Sequence, residues 1–209
     1  MGVGSVFGTR VEVAERMTAR EFLRIAPEDQ KAELIDGVMV MHSPPLDVHE
    51  RLFAFLFRLL GDYVEEHGLG EVRGSRTPVI LAEDQVYEPD ILFVSRERAD
   101  IIQPHGVVGA PDLVVEILSR GTVAYDRGPK FRGYERAGVR ELWLVDPHGP
   151  AGTEFYRLEG DRFVPIVPQE GVLGSATVAG FALQVAWLWP EERFVPVREA
   201  LTWLNARAR

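Results

Sequence analysis

A mixed α/β fold with a β-rich C-terminal portion is what this sequence predicts, and three observations predict it. Long helical patterns at 47–66 and 125–137 are interleaved with short β-branched runs. Asp36-Gly37, the strongest short hairpin signal, separates two such runs. Beyond Pro147, β runs alternate with Gly and Pro turns.

The elements follow in order. Residues 1–16 read as a strand or arm, and 17–209 as one domain. Thr18 with Glu21 forms the two halves of a capping box, so a short helix runs to about Ala26. Ala32 to His42 is the hairpin. Ser43-Pro44-Pro45 breaks the chain, and a helix from Asp47 to Glu66 ends at Gly68. Its wide apolar set, from Leu52 to Val64, calls for more than one packing neighbour. Strands are expected at 71–75, 77–82 and 86–94. Pro111 introduces Asp112-Leu-Val-Val-Glu-Ile-Leu118, a run of buried-strand type. A helix from Tyr125 to Ala137 closes at Gly138, and Glu141 to Val145 is a strand. Further strands at 153–158, 162–167 and 172–178 precede a last amphipathic helix at 197–207.

With 209 residues, 46% apolar, the chain is long enough for a sizeable core. No apolar run approaches the ~20 residues of a membrane helix. The first residues lack the charged and apolar regions of a secretion signal, so a cytoplasmic protein is expected. The absence of cysteine rules out disulfides, thiolate metal sites and cysteine nucleophiles. A net charge of -9 argues against non-specific coating of nucleic acid. Only two of the 23 basic residues are lysines, Lys31 and Lys130, which makes their positions worth following.

The chemistry-bearing stretch is Tyr87 to Asp146. Glu116 is a carboxylate inside an apolar strand, costly to bury unless it is paired, protonated or bound to a cation. Alternation puts Asp112, Val114, Glu116 and Leu118 on one face. Asp112 is roughly 13 Å from Glu116 along a strand, too far to share an ion, and reads as a strand-edge residue. Asp90, at the start of 91–94, is the natural partner. Two carboxylates from adjacent strands, completed by water and substrate oxygens, suit Mg²⁺ or Mn²⁺. Asp126, Lys130 and Tyr134 share a helical face, so Lys130 can point at the carboxylates if the helix packs on the sheet. His42, Asp47 and His49 read as capping or structural hydrogen-bonding groups, and Tyr134 and Trp143 as packing aromatics.

In these residues the sequence resembles the Uma-type family of restriction endonucleases, within the PD-(D/E)XK nuclease superfamily. The resemblance is carried by Met17-Thr18-Ala19, Glu33-Leu-Ile-Asp-Gly37, the His49 helix, Pro89-Asp90, Pro111 to Ser119, Asp126 to Lys130 and Gly138 to Asp146. It implies a restriction-endonuclease-like mixed sheet flanked by helices, and metal-dependent phosphodiester hydrolysis. Asp90 matches the acid of the family's Pro-Asp, and Glu116 the acid of the next strand. The superfamily's usual lysine would fall at Leu118; here it is displaced to Lys130. Glu33 matches an N-terminal acid that completes such sites.

By this resemblance Asp90 and Glu116 are metal ligands, and Lys130 orients water or stabilises developing charge. Glu33 holds a nearby water or a second ion. Residues 119–140 carry six basic residues against Asp126 and Glu135, so Arg120, Arg127 and Arg132 are expected to meet a nucleic-acid backbone, DNA foremost. Cleavage of both strands implies a homodimer. The alternative is a nuclease-fold binding or regulatory protein with little or no turnover.

Overall fold

The structure, a computed structural model, describes residues 16–27 and 29–207. The arm expected at 1–16 lies outside the described residues except for Arg16.

Local signals act where they stand in the chain. Helix α1 (Ala19–Ile25) opens on the Thr18–Glu21 capping box, both halves of which are formed. Strands β1 (Ala32–Ile35) and β2 (Val38–Met41) pair through a turn in which Asp36 and Gly37 both have positive φ, 50° and 78°. Those angles match the twist of a two-residue hairpin. Helix α2 (Asp47–His67) ends at Gly68 in the left-handed conformation.

Four strands follow: β3 (Gly70–Gly74), β4 (Val79–Ala82), β5 (Gln85–Tyr87) and β6 (Ile91–Ser95). The run expected as one strand over 86–94 is therefore broken. Pro89 supplies no N–H for a ladder, and between Glu88 and Asp90 the chain leaves one sheet for another. Beyond a 3₁₀ segment, two short strands that the sequence pattern did not announce, β7 (Ile102–Gln103) and β8 (Gly106–Val108), precede β9 (Leu113–Ile117).

The helical pattern at 125–137 forms as a composite. Helix α3 (Val123–Tyr125) runs into a π-helical turn at Asp126–Lys130, then into α4 (Phe131–Ala137), capped by Gly138. Pro129 sits inside the wide turn, and the Phe131 N–H bonds to the Asp126 carbonyl five residues back. Strand β10 (Glu141–Val145) follows, then β11 (Glu154–Glu159), β12 (Arg162–Pro165), β13 (Val172–Gly174), β14 (Ala182–Gln184) and helix α5 (Val197–Arg207). The strand expected at 172–178 stops at Gly174. Its remaining residues form a turn around the Glu141 carboxylate, which accepts from Ser175 Oγ, Thr177 Oγ1 and the Ala176 and Thr177 amides.

Twelve of these strands build two mixed six-stranded sheets, and β13 pairs antiparallel with β14 as a separate C-terminal hairpin. One six-stranded sheet has the order β2-β1-β5-β4-β8-β7, the other β12-β11-β10-β9-β6-β3. In the second sheet β9 and β10 are parallel, joined by the α3–α4 crossover, while β6 runs antiparallel to β9. Alternation divides its side chains. Ile91, Phe93, Leu113, Val115, Ile117, Trp143 and Val145 share a core with α2, the C-terminal hairpin and α5. Val114, Leu118, Leu142 and Leu144 pack with Tyr134 and Tyr87 on the opposite side. Glu116 belongs to that second face, between the sheets.

Helix α4 approaches the first sheet closely because residue 133 is glycine. A methyl group there would collide with Tyr87 Oη and Gln85 Oε1. Gly133→Ala should therefore lower stability by about 1–3 kcal/mol in urea unfolding, despite alanine's better helix propensity. A gain in stability would contradict this packing.

Candidate active site

The site lies where the chain passes between the sheets, and each carboxylate reaches it from a different element. Ile91 faces Val115 across the β6–β9 ladder, so one step further in the same register sets Asp90 opposite Glu116. The Ile117 amide donates to Asp90 Oδ2 at 2.8 Å, locking this junction. Glu33 comes from β1 in the other sheet. Its Oε1 accepts from the Glu88 amide at 2.7 Å, just where the chain turns from one sheet to the other.

Lys130 ties these parts together. Its Nζ is 2.9 Å from Glu33 Oε1, 2.7 Å from Glu116 Oε1 and 3.0 Å from Asp126 Oδ1. An ammonium has three N–H donors, and three carboxylates surround this one. The wide turn at 126–130 puts Asp126 and Lys130 inward together, and both are buried. One turn on, Tyr134 Oη donates to Glu116 Oε1 at 2.6 Å. The predicted 126–130–134 face is thus the face that meets the carboxylates, and Tyr134 does more than pack.

Asp90 is held from its other side. Lys31 Nζ donates to Oδ1 at 3.1 Å, and His49 Nε2 lies 3.2 Å from Oδ2. His42 Nε2 lies 2.9 Å from Glu33 Oε2, an ion-pair contact without the direction of a good hydrogen bond. Lys31, His42 and His49 are members of the cluster that residue patterns did not place there. The two histidines make structural contacts, as the loop and helix start suggested, but with the catalytic candidates as partners. The only early signal for Lys31 was its rarity.

Burial and charge act against each other here. Burial opposes ionisation of Asp90, yet Lys31, His49 and the Ile117 amide overcome it and hold its pKa well below the carboxylate range. Glu33 is also buried, and Lys130, with His42 and Lys31, holds it down to about 2. Glu116 goes the other way. Burial, offset in part by Lys130 and reinforced by Asp126 and Asp90, pushes it up to about 8. Burial penalises the Lys130 ammonium too, but Asp126, Glu116 and Glu33 raise its pKa well above the ordinary value. His49 is raised through Asp90 against its own desolvation.

The residues present fit a hard divalent cation. The β6–β9 register, continued by one step, sets Asp90 and Glu116 opposite each other, and both offer the hard oxygen donors that such a cation takes. Buried polar atoms without a directed hydrogen bond also gather here: Glu33 Oε2, Asp126 Oδ1 and Glu88 Oε2 among them. Among the described residues, however, no three His, Asp or Glu side chains converge in a geometry that would hold a metal by themselves. Two carboxylates with water and substrate would have to complete the shell.

The basic residues expected at nucleic acid lie outside this cluster. Arg120, Arg127 and Arg132 are all exposed. Arg127 pairs with Glu154 at 2.8 Å and donates to the Gly152 carbonyl, which ties the turn at 126–130 to the start of β11. Asp112 anchors structure, as its distance from Glu116 implied: Arg98 and Arg140 donate to its Oδ1 and the Ser95 amide to its Oδ2. Among the described residues, no helix is long and apolar enough to cross a membrane.

Comparison with known proteins bears on the fold and the family. A crystal structure described as a putative nuclease belonging to DUF820, from Anabaena variabilis ATCC 29413, has the same fold. Its TM-score is 0.64 at 17% identity, over 90% of this chain and 99% of that one. The "Uncharacterized protein sll1609" of Synechocystis sp. (strain ATCC 27184 / PCC 6803 / Kazusa) is 27% identical over 158 residues, 73% of this chain and 86% of its own. Residues 19–186 match the family Uma2, described as "Putative restriction endonuclease", and the chain belongs to that family.

Proposed function

We propose that this protein is a metal-dependent endonuclease that hydrolyses nucleic-acid phosphodiester bonds, with DNA as its substrate. The observation that carries the reading is that the antiparallel register of β6 and β9, continued one step before β6, sets Asp90 opposite Glu116 beside a buried lysine. The chemistry that Mg²⁺ or Mn²⁺ supplies when bound to such a pair is activation of a water and polarisation of a phosphate oxygen. Asp90 and Glu116 are the residues that would hold the ion. Lys130 positions Glu116 and Glu33 by drawing both to one point, and Tyr134 fixes the orientation of Glu116 through its hydroxyl. Glu33, buried beside them, sets the negative charge of the site. Arg120, Arg127 and Arg132, all exposed on the crossover, would meet backbone phosphate outside it. Cleavage of both strands of a duplex would use two copies of the chain related by symmetry.

One observation favours the second reading, a nuclease-fold binding protein without turnover. The site's carboxylates already have ammonium and imidazole partners within 3.2 Å: Lys31 and His49 at Asp90, Lys130 at Glu33 and Glu116. A cation must compete with these ion pairs.

Calorimetric titration with Mn²⁺ separates the two. The nuclease reading expects wild-type protein to bind and Glu116→Ala to bind at least ~10-fold more weakly, with plasmid nicking lost in the variant and in EDTA. Equal binding by both proteins, or nicking that survives EDTA, would contradict it. A second test uses Lys130→Met, which leaves buried carboxylates unpaired. Its stability should fall by on the order of 3–5 kcal/mol in metal-free buffer. Added Mn²⁺ should restore part of that loss by binding the folded state, as a shift in the melting temperature would show. A variant as stable as wild type would mean that Lys130 is not the tie between the sheets.

A further inference from the structure

The cluster contains two lysines, and their surroundings differ. The Lys130 side chain is 1% exposed and has three carboxylates around its three donors. Lys31, which precedes β1, is 22% exposed. Among the described residues it gives one hydrogen bond, to Asp90 Oδ1, so two of its three donors are free of protein partners. Exposure across the cluster is graded in the same sense. The side chains of Glu33, Lys130, Asp126 and Glu116 are at most 3% exposed, whereas Asp90 is at 6%, His49 at 11% and Lys31 at 22%. The side open to solvent is therefore the side on which Lys31 and His49 hold Asp90.

A nucleic-acid phosphate carries its negative charge on two non-bridging oxygens. To reach Asp90 it must come from that open side and pass the Lys31 ammonium. Lys130 is enclosed by three carboxylates within 3.0 Å, and moving it would leave them buried without that counter-charge. We propose that Lys31 is the residue that contacts the substrate phosphate, while Lys130 acts only by positioning the carboxylates. This rests on the nucleic-acid reading above, and it assigns the substrate-facing positive charge to a residue outside the acid–acid–lysine set.

The test uses wild type, Lys31→Ala, Lys31→Gln and Lys31→Arg, with folding checked by melting. Binding of a fluorescein-labelled DNA duplex of mixed sequence is followed by anisotropy in Ca²⁺ buffer, from about 50 to about 200 mM salt. Nicking of plasmid in Mn²⁺ is followed at saturating protein, and Mn²⁺ affinity is measured alongside. Either neutral variant that folds should make the dependence of log affinity on log salt shallower by about one, the share of a single phosphate contact. It should also slow nicking by ~100-fold without weakening Mn²⁺ binding, since the ion no longer competes with the Lys31 pair at Asp90. Lys31→Arg should restore the slope and most of the rate.

Neutral variants with the wild-type slope overturn the proposal. If they nick slowly because Mn²⁺ affinity is lost, Lys31 only holds Asp90. Wild type that binds duplex but never nicks would end the hydrolytic reading, and the salt slope alone would then decide the role of Lys31. Wild type that does not bind duplex overturns the phosphate contact as well.

Discussion

The Lys130 ammonium, buried among three carboxylates, is the interaction on which the rest of this structure depends. Glu33 reaches it from the first sheet, Glu116 from the second, and Asp126 from its own helix. None of these groups could be buried charged alone, because desolvation of an isolated ion costs several kcal/mol or more. Together they are compatible with the interior only in one relative placement of two sheets and a helix. The cluster therefore joins two sheets and a helix by charge pairing, a demand on their relative placement that apolar contacts do not make.

Other features serve that placement. Pro89 ends one ladder and begins the passage to the next sheet, which leaves Glu88 and Asp90 on either side of the crossing. The Glu88 amide binds Glu33, and the Asp90 carboxylate binds the Ile117 amide, so the crossing is stitched to both sheets. The π-helical turn around Pro129 brings Asp126 and Lys130 inward, and Gly133 lets the helix come close enough for Tyr134 to reach Glu116. Such wide turns recur at functional sites because they aim side chains that a regular helix would turn away.

What the sequence made legible is what local chemistry decides. The capping box at Thr18, the Asp36-Gly37 turn, the glycine stops at 68 and 138 and the shared face of residues 126, 130 and 134 each depend on neighbours within a few positions. That Asp90 and Glu116 stand on neighbouring segments is readable because an acid opens one β run and another lies inside an apolar one. The break at 88–90 was hidden, since a run of β-type residues looks the same whether or not it changes sheets. Lys31, His42 and His49 were hidden because their partners are distant in sequence, with Lys31 and Asp90 59 positions apart.

Glu141 shows the limit of the argument from a buried acid. It too is a fully buried carboxylate in an apolar strand, but Trp143 Nε1 and the turn at 175–177 supply hydrogen bonds to both its oxygens. The same sequence feature is a fastening for the C-terminal hairpin in one strand and an active-site candidate in the next. What separates them is the company of other charges, which only the fold reveals.

The most direct measurement is a crystal structure of the wild-type protein soaked in Mn²⁺, with anomalous scattering used to locate the ion. A metal site at this pair would give one strong peak bonded to carboxylate oxygens of both Asp90 and Glu116, with Lys130 still among Glu33, Glu116 and Asp126. Manganese bound elsewhere, with Asp90 and Glu116 still held only by Lys31, His49 and Lys130, would contradict it.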